Sequence, residues 1–359
     1  MSTQDAVLTK FREYILGPMR FMNLVSCFEL GIVDTLKENS GTGMTANEIA
    51  EATGVGADAV EQLLYLMVKE DFVSFDEGTG RYAPDGIGKL TDDDLGRVIP
   101  WMNMIKVVCL RQLYYLSESV RSGQLVGLKE FYDFEGGTFY EASTKHEELM
   151  APWTAMMDQV TSFIDPWFFG NLEVPENAKI LDLAGNTGLG AVLARQHKSA
   201  QNVTVTTFDF PEKKAEALAT FREHGVEKHC SFIGGDVFDS VPKGFDIVMI
   251  KHFLDMFDKE GVYRILQQVH EALDVGGQVY VLVPIYPEDV KVSSSVDFFP
   301  TYFLGCTMAQ GGPQKASTYA KWIEDCGYKV TKVISQDLGT MPADMIPVHG
   351  IICATKVAS

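Results

Sequence analysis

Apolar residues recur at helical spacing in the first part of the chain. The pattern covers residues 21–36, with a break at Gly31, and then residues 45–53 and 57–69. Thr45 is followed three residues later by a glutamate, which is the spacing of a capping box. The pattern predicts amphipathic helices.

Two strand-like runs, residues 72–75 and 81–83, come next and flank a Gly-containing turn, which predicts a β-hairpin. Helices followed by a hairpin form a winged-helix layout, which we assign to residues 1–100. The helix that would enter DNA, residues 57–69, has a broad apolar face and one cation. Dimerisation or core packing is therefore the better interpretation of this domain.

Residues 101–170 continue with helical patterns rich in Met, Trp and Tyr, which we interpret as a helical linker or substrate lid. After Pro175, apolar runs of strand length alternate with helical segments. This alternation predicts an α/β, Rossmann-like domain in residues 171–359, with a mostly parallel, doubly wound sheet. The predicted strands are residues 179–183, 203–208, 230–233, 246–250, 278–283, 328–334 and 350–354.

The composition narrows the class of function. The 359 residues are 46% hydrophobic, which is enough for two domains. A net charge of −19 disfavours nucleic acid and anionic membranes, because both attract Lys and Arg. Charges interrupt the N-terminal apolar stretch and no uncharged run approaches the ~20 residues of a membrane span, so we expect a soluble, cytoplasmic enzyme of small molecules. The six cysteines are scattered without metal-ligand spacing, so we expect buried thiols and no metal site.

Candidate chemistry begins where the predicted parallel strands end. Residues 180–190 run from a strand that carries Asp182 through a Gly-rich turn into a helix, which lets a ligand approach the backbone closely. The second strand ends at Asp209, where a carboxylate can accept two ribose hydroxyls, and the third is followed by Asp236, placed to accept an adenine amino group. Polar groups at successive strand ends point to one bound nucleoside.

At these positions the sequence resembles the plant-type and hydroxyindole-type O-methyltransferases. The resemblance extends over nearly the whole chain and implies the seven-stranded methyltransferase fold, S-adenosylmethionine as cofactor, and a homodimer interlocked through the N-terminal domain. The matching segments are residues 181–188, 208–211, 235–242, 245–251 and 274–277, of which 235–242 is the most specific.

The resemblance also implies a set of cofactor-binding residues. Asp182 and Gly185 would line the methionine moiety, Asp209 would hold the ribose, and Lys251 would contact the amino-acid end. The family usually has glycine where this chain has Ala184 and Asn186. The full set is Asp182, Ala184, Gly185, Asn186, Asp209, Phe210, Gly235, Asp236, Val237, Phe238 and Lys251.

The catalytic base of that family is missing from the sequence. After the fourth strand the family carries a histidine that deprotonates the acceptor, and the aligned residue here is Asp255. An unperturbed carboxylate, with a pKa of about 4, is a poor base for a phenol of pKa about 10. His252 stands three residues earlier, where a helix would place it on the same face as Asp255. We expect an active-site role for Asp255 and favour a structural role for His252, which stays a candidate.

Three enzymatic hypotheses follow. In the first, a thioether sulfur or an electron-rich carbon attacks the methyl group directly, and Asp255 stabilises cationic charge. Bacterial enzymes that methylate 4-methylthio-2-hydroxybutyrate on the route to dimethylsulfoniopropionate do such chemistry in the same broad architecture. In the second, Asp255 with His252 or water serves O-methylation. In the third, the cofactor assists a pericyclase or hydroxylase reaction without methyl transfer. A non-enzymatic, ligand-sensing regulator is disfavoured by the charge.

The acceptor pocket is expected among aromatic and sulfur-bearing residues of the segments that the family uses for substrate. Arg111 or Arg121 is a candidate partner for a substrate carboxylate. The predicted pocket residues are Trp101, Met104, Trp153, Met156, Met157, Phe298, Tyr302 and Met308.

Overall fold

The structure is a computed structural model that describes residues 3–289, 295–337 and 348–358. The chain forms two compact units, residues 1–106 and 107–359. The division into residues 1–100, 101–170 and 171–359 expected from the sequence stays a prediction.

The first unit has the predicted helices and hairpin. The capping box is present, since the Glu48 amide donates to Thr45 Oγ1 (3.3 Å) and the Thr45 amide donates to Glu48 Oε2 (2.7 Å). The helical break falls at Gly31, whose φ of 71° is left-handed. The elements are α1 (Thr3–Glu29), α2 (Ile32–Glu38), α3 (Ala46–Thr53), α4 (Ala57–Lys69), β1 (Val73–Asp76), β2 (Arg81–Pro84) and α5 (Asp92–Met104).

A large exposed apolar surface of this unit lies near the start of the chain. Ile32, Leu36 and Leu64, in the helical segments 21–36 and 57–69, are buried in the unit's own core. The N-terminal half of α1 is exposed instead, on a face formed by Val7, Leu8, Phe11, Tyr14, Ile15 and Met19. Among the described residues no single helix is long and apolar enough to span a membrane, although α1 and α2, bent by 58°, reach that length and hydropathy together.

The second unit begins with helices, as the sequence predicts for this stretch. The longest, α10, contains Pro152 and Pro166 and continues for 24 residues. These helices are α6 (Leu110–Tyr114), α7 (Leu116–Ser122), α8 (Val126–Tyr132), α9 (Phe139–Ser143) and α10 (Glu147–Gly170).

All seven predicted strands are confirmed and form one mixed sheet in the order β5-β4-β3-β6-β7-β9-β8. The first five are parallel, and β9 is antiparallel to both of its neighbours. The strands are β3 (Lys179–Leu183), β4 (Thr204–Asp209), β5 (Cys230–Gly234), β6 (Ile247–Lys251), β7 (Gln278–Pro284), β8 (Tyr328–Ser335) and β9 (His349–Lys356). The helices after β3 are α11 (Leu189–His197), α12 (Lys214–Glu223), α13 (Lys259–Ala272), α14 (Phe299–Thr307) and α15 (Ala316–Asp325).

The strand order determines where a ligand can bind. The chain proceeds from β3 through β4 to β5 in one direction and then crosses to β6 on the other side of β3. In an open α/β sheet, the crevice at the carboxyl ends of strands beside such a reversal is the usual binding site.

All six cysteines are free and five are buried, as expected.

Candidate active site

A cavity of about 200 Å³ opens at the carboxyl ends of β3, β4 and β6. A smaller cavity adjoins it and shares Ala184, Asp209, Phe210 and Phe253 with it. We call them the main and the minor cavity. The main cavity is lined by Tyr140, Ser143, Thr144, Met150, Trp153, Met157, Asp158, Thr161, Asp182, Ala184, Gly185, Asn186, Thr187, Leu189, Gly190, Asp209, Phe210, Lys213, Lys251, His252, Phe253 and Met256.

A buried ion cluster adjoins the main cavity, and two of its members, Asp182 and Lys251, line it. Lys251 Nζ donates to Asp165 Oδ2 at 2.7 Å and lies 3.8 Å from Asp182 Oδ1. The side chains are 7%, 0% and 1% exposed for Lys251, Asp165 and Asp182. One cation between two carboxylates leaves the cluster one negative charge in excess when all three groups are ionised.

Burial and the neighbouring charges shift the pKa values of the groups in the cluster. Burial raises the pKa of Asp182 to about 6, because the opposing attraction of Lys251 only partly offsets desolvation. Burial also lowers the pKa of Lys251, but the two carboxylates outweigh this effect and the net pKa is raised. Within the described part of the chain, neither oxygen of Asp182 has a hydrogen-bond partner. Asp182 therefore offers two acceptors and negative charge to a cationic ligand group.

Two glycines let the loop after β3 approach this cluster. A Cβ atom at Gly185 would lie 2.6 Å from Asp182 Oδ2, and one at Gly190 would clash with Lys251 Nζ. A side chain at either position would displace the carboxylate or the ammonium group. Gly185 and Gly190 are thus explained by close packing on the cluster.

The departures from the family at Ala184 and Asn186 fall at left-handed positions. Their φ angles are 55° and 46°, a region that glycine adopts without strain and asparagine tolerates. Hydrogen bonds hold the loop there, since the Ala184 amide donates to the Phe208 carbonyl (2.7 Å) and the Asn186 amide to Asp209 Oδ2 (2.8 Å). Both residues line the main cavity.

Asp209 lines both cavities and connects them. Its two carboxylate oxygens accept the amides of Asn186 and Phe210, which fixes the orientation of the side chain. Gly235 and Val237 line the minor cavity. The structure thus brings together the cofactor residues that were predicted at the ends of β3, β4 and β6. Gly235 and Val237, which follow β5, lie beside them at the minor cavity.

Asp236 and Phe238, by contrast, line neither cavity. Asp236 Oδ1 accepts the Phe238 amide at 2.8 Å, so this carboxylate caps its own turn. Phe238 packs against Phe257, with a centroid distance of 5.3 Å. The expected contact of Asp236 with an adenine amino group has no support in this geometry.

The two candidate bases are not on one helix, contrary to expectation. His252 leaves the end of β6 with a left-handed φ of 49°, and a 3₁₀ turn, Leu254–Met256, begins only afterwards. His252 lines the main cavity, whereas Asp255 is 7% exposed and does not line it. Burial raises the pKa of Asp255 to about 7. The pKa of His252 lies well below its ordinary value, mainly because the ring is buried and further because of the neighbouring His349 and Lys251.

Only part of the predicted acceptor pocket lies at the main cavity. Trp153 and Met157 line it, but Met156 does not. Phe298 and Tyr302 pack in an aromatic cluster, from which the Tyr302 hydroxyl reaches that of the cavity residue Tyr140 at 3.4 Å. Met308 lines a separate groove formed with residues 122–141.

The remaining pocket candidates do not add a cation to the main cavity. Trp101 and Met104 belong to the first unit, and their role stays a prediction. Arg111 donates to Glu148 and to the Tyr132 hydroxyl, and Arg121 is exposed, so neither lines the cavity.

Sequence reasoning missed several cavity residues. Asp165 lines neither cavity but holds the lining residue Lys251, and its signal in the sequence is an acid inside the apolar run 163–169. Asp158, whose Oδ1 accepts the Thr187 hydroxyl at 3.3 Å, carries no comparable signal. Tyr140, Ser143, Thr144 and Thr161 also line the cavity without one.

Comparison with known proteins decides the family. The model of the O-methyltransferase domain matches residues 113–329, and that of the O-methyltransferase dimerisation domain matches residues 12–90. The chain belongs to the O-methyltransferase family. It is a methyltransferase that uses S-adenosylmethionine and acts on small molecules.

Relatives cover almost the whole chain. It is 26% identical over 348 residues to 3-amino-4-hydroxybenzoate 4-O-methyltransferase of Streptomyces cremeus, covering 94% of this chain and 89% of that protein. It is 22% identical over 346 residues to L-tyrosine C(3)-methyltransferase of Streptomyces lavendulae, covering 95% and 91%. Human N-acetylserotonin methyltransferase, solved with S-adenosylmethionine, has the same fold, with a TM-score of 0.78, 19% identity and coverage of 100% of both chains.

The residues at the crevice fit this cofactor. We propose that Asp182 accepts its α-ammonium group, that Asp209 accepts its ribose hydroxyls, and that Gly235 and Val237 lie beside its adenine. The excess negative charge of the ion cluster is complementary to the ammonium group, and the acceptors of Asp182 are otherwise unpaired. When bound, the cofactor supplies a methyl group activated by a sulfonium.

We predict that Asp209→Ala weakens S-adenosylmethionine binding by about 1 to 3 kcal/mol, because charge-assisted hydrogen bonds to the ribose are lost. Titration calorimetry measures the affinity. The matched control is Asp239→Ala, which removes an exposed carboxylate that lines neither cavity. Equal affinities for Asp209→Ala and the control would remove Asp209 from the site.

Proposed function

We propose that the enzyme methylates a nucleophile that needs no deprotonation before attack, a thioether sulfur or an electron-rich carbon. The supporting observation is the weakness of the base at the cavity. Among the described residues that line it, the only imidazole is His252, whose pKa lies well below its ordinary value. An imidazole of such low basicity is a poor acceptor for the proton of a phenol.

The side chains that line the main cavity are of types that stabilise a cationic transition state. Tyr140, Trp153 and Phe253 supply aromatic rings, and Met150, Met157 and Met256 supply polarisable sulfur. Aromatic faces attract cations, and this attraction is strongest where water is excluded. A thioether acceptor becomes a sulfonium when it is methylated and releases no proton. Positive charge is therefore present at the cavity throughout the transfer.

The charges around the cavity add to this effect. The carboxyl groups of Asp158, Asp182 and Asp209 line it and can offer negative charge or hydrogen-bond acceptors to a cationic group. The two lining lysines are both paired, Lys251 within the ion cluster and Lys213 with Glu216 at 3.2 Å. A carboxylate-bearing acceptor such as 4-methylthio-2-hydroxybutyrate would depend on hydroxyl donors among the described lining residues. The Ser143 and Thr144 hydroxyls already donate to the carbonyls of Tyr140 and Glu141 (2.8 Å each), which leaves the Thr161 hydroxyl as a candidate donor.

A second candidate, O-methylation, is favoured by one observation. Burial raises the pKa of Asp255 to about 7, which suits a general base at neutral pH far better than the unperturbed carboxylate considered from sequence alone. This route requires Asp255 to reach the acceptor, whereas the side chain does not line the cavity in this structure.

We predict a sulfonium or C-methyl product when the enzyme is incubated with isotopically labelled S-adenosylmethionine and an acceptor panel. The panel contains 4-methylthio-2-hydroxybutyrate, an uncharged thioether, an electron-rich arene without hydroxyl groups, and a phenol. Mass spectrometry identifies the product. With the preferred acceptor, Asp255→Asn should lower the single-turnover rate less than about tenfold at saturating cofactor. No proton has to be removed, and Asp255 does not line the cavity in which it was expected to stabilise cationic charge.

The outcome for O-methylation differs in product and in rate. A methyl ether, a rate that rises with pH through about 7, and a loss of 10² or more in Asp255→Asn would establish Asp255 as a base and overturn the proposal. The exposed-carboxylate variant Asp239→Asn controls for the change of charge.

We also propose that the chain is a homodimer whose interface includes the N-terminal half of α1. Phe11, Tyr14 and Ile15 are 61%, 81% and 69% exposed on one face of the helix. A contiguous apolar face of this kind marks an association surface, and the match to the dimerisation domain begins at residue 12.

We predict that the full chain sediments as a dimer at micromolar concentration and that Phe11→Asp combined with Ile15→Asp shifts it towards monomer. A buried carboxylate without a partner is costly at an interface, which explains the direction. Lys10→Asp introduces the same charged group at an exposed polar position of α1 and should remain dimeric. A monomeric wild type would contradict the proposal.

A further inference from the structure

His252 and His349 form a buried pair that the cofactor site does not use. His349 Nε2 lies 3.2 Å from His252 Nδ1, and the ring centroids are 4.8 Å apart at an interplanar angle of 85°. His349 is 1% exposed. The two residues are 97 positions apart in sequence and meet across the end of β7.

The backbone holds both rings in place. The His252 amide donates to the Leu282 carbonyl (2.8 Å), which extends the β6–β7 pairing by one residue before the chain turns at a φ of 49°. His349 lies opposite Pro284 in the β7–β9 pairing, and its amide donates to Gln336 Oε1 (2.8 Å). A left-handed conformation strains a non-glycine residue and persists where its surroundings over-determine it, often at a functional site.

The hydrogen bond to His349 uses Nδ1 of His252, and the second ring nitrogen, Nε2, does not take part in it. Nε2 is buried and, within the described residues, has no hydrogen-bond partner, while His252 lines the main cavity beside Phe253 and Met256. A buried polar atom without a partner is rare, and a ligand is one explanation for it. The hydrogen bond at one ring nitrogen determines whether the other carries a proton, so His349 controls what Nε2 presents.

We propose that His349 is a positioning residue, which holds His252 in one orientation and one tautomer so that Nε2 offers a fixed hydrogen bond to a polar group of the methyl acceptor. If His349 donates, Nε2 carries a proton and meets an acceptor oxygen; if His252 donates, Nε2 is a lone pair and meets a hydroxyl. His252 then orients the substrate and does not remove a proton. The role towards the substrate rests on the proposed methyl transfer to a small molecule.

The tautomer is measured without any acceptor. Long-range ¹H–¹⁵N correlation spectra of histidine-labelled protein at pH 7 report the protonation of each ring nitrogen, and His252→Gln assigns the signals. We expect one neutral tautomer for His252 in the wild type and in His349→Gln, whose amide can replace the lost nitrogen. We expect averaged shifts of two tautomers in His349→Phe, which keeps a ring and removes the hydrogen bond. Averaged shifts in the wild type, or a single tautomer retained in His349→Phe, would overturn the positioning role.

The contact with the substrate is measured with the acceptor that the product screen identifies. We expect His349→Phe to raise the KM for the acceptor about 3- to 10-fold, the loss of one hydrogen bond, with a small change in kcat. His349→Gln should restore most of the affinity. Calorimetry with S-adenosylmethionine is expected to give the wild-type affinity for both His349 variants, which shows that the site is folded. An unchanged KM together with the expected spectra would overturn the substrate contact and leave the proposed methyl transfer intact.

Discussion

The placement of Lys251 between Asp165 and Asp182 is the constraint on which the site depends. The three side chains come from α10, β3 and β6, and all are nearly inaccessible to water. A buried cation stabilises two buried carboxylates only in part, so the cluster keeps unsatisfied acceptors and one excess negative charge when ionised. A cationic ligand group that donates hydrogen bonds would satisfy these acceptors and neutralise the excess negative charge. Cofactor binding and stability of the domain are therefore coupled at this point.

The same cluster explains the local sequence. Gly185 and Gly190 leave room for the carboxylate and the ammonium group, and the loop between β3 and α11 turns tightly around them. Ala184 and Asn186 keep left-handed conformations because Phe208 and Asp209 hold their amides from the adjacent strand. The loop is thus determined by two neighbouring strands and not by glycine content alone.

The sequence was sufficient for the sheet and for the strand-end residues, because apolar runs and strand ends are local features and parallel strands share one edge. It was insufficient for contacts between distant segments. Asp165 lies 86 residues from Lys251, and His349 lies 97 residues from His252, and no local pattern connects either pair. The pKa of Asp255 is likewise set by burial, which spacing does not reveal. The exposed apolar surface of α1 was not predicted, because helical periodicity does not show which apolar face a small domain can cover by itself.

The central claim is that the cofactor's ammonium group completes the ion cluster through Asp182. Calorimetry of S-adenosylmethionine binding at pH 6, in buffers of different ionisation enthalpy, measures the protons exchanged. Because the pKa of Asp182 in the free protein is about 6 and a cation lowers it, binding should release about half a proton at pH 6 and much less at pH 7. Methylthioadenosine, which lacks the amino-acid part, should release none. Equal proton release with both ligands, or none with S-adenosylmethionine, would contradict the account.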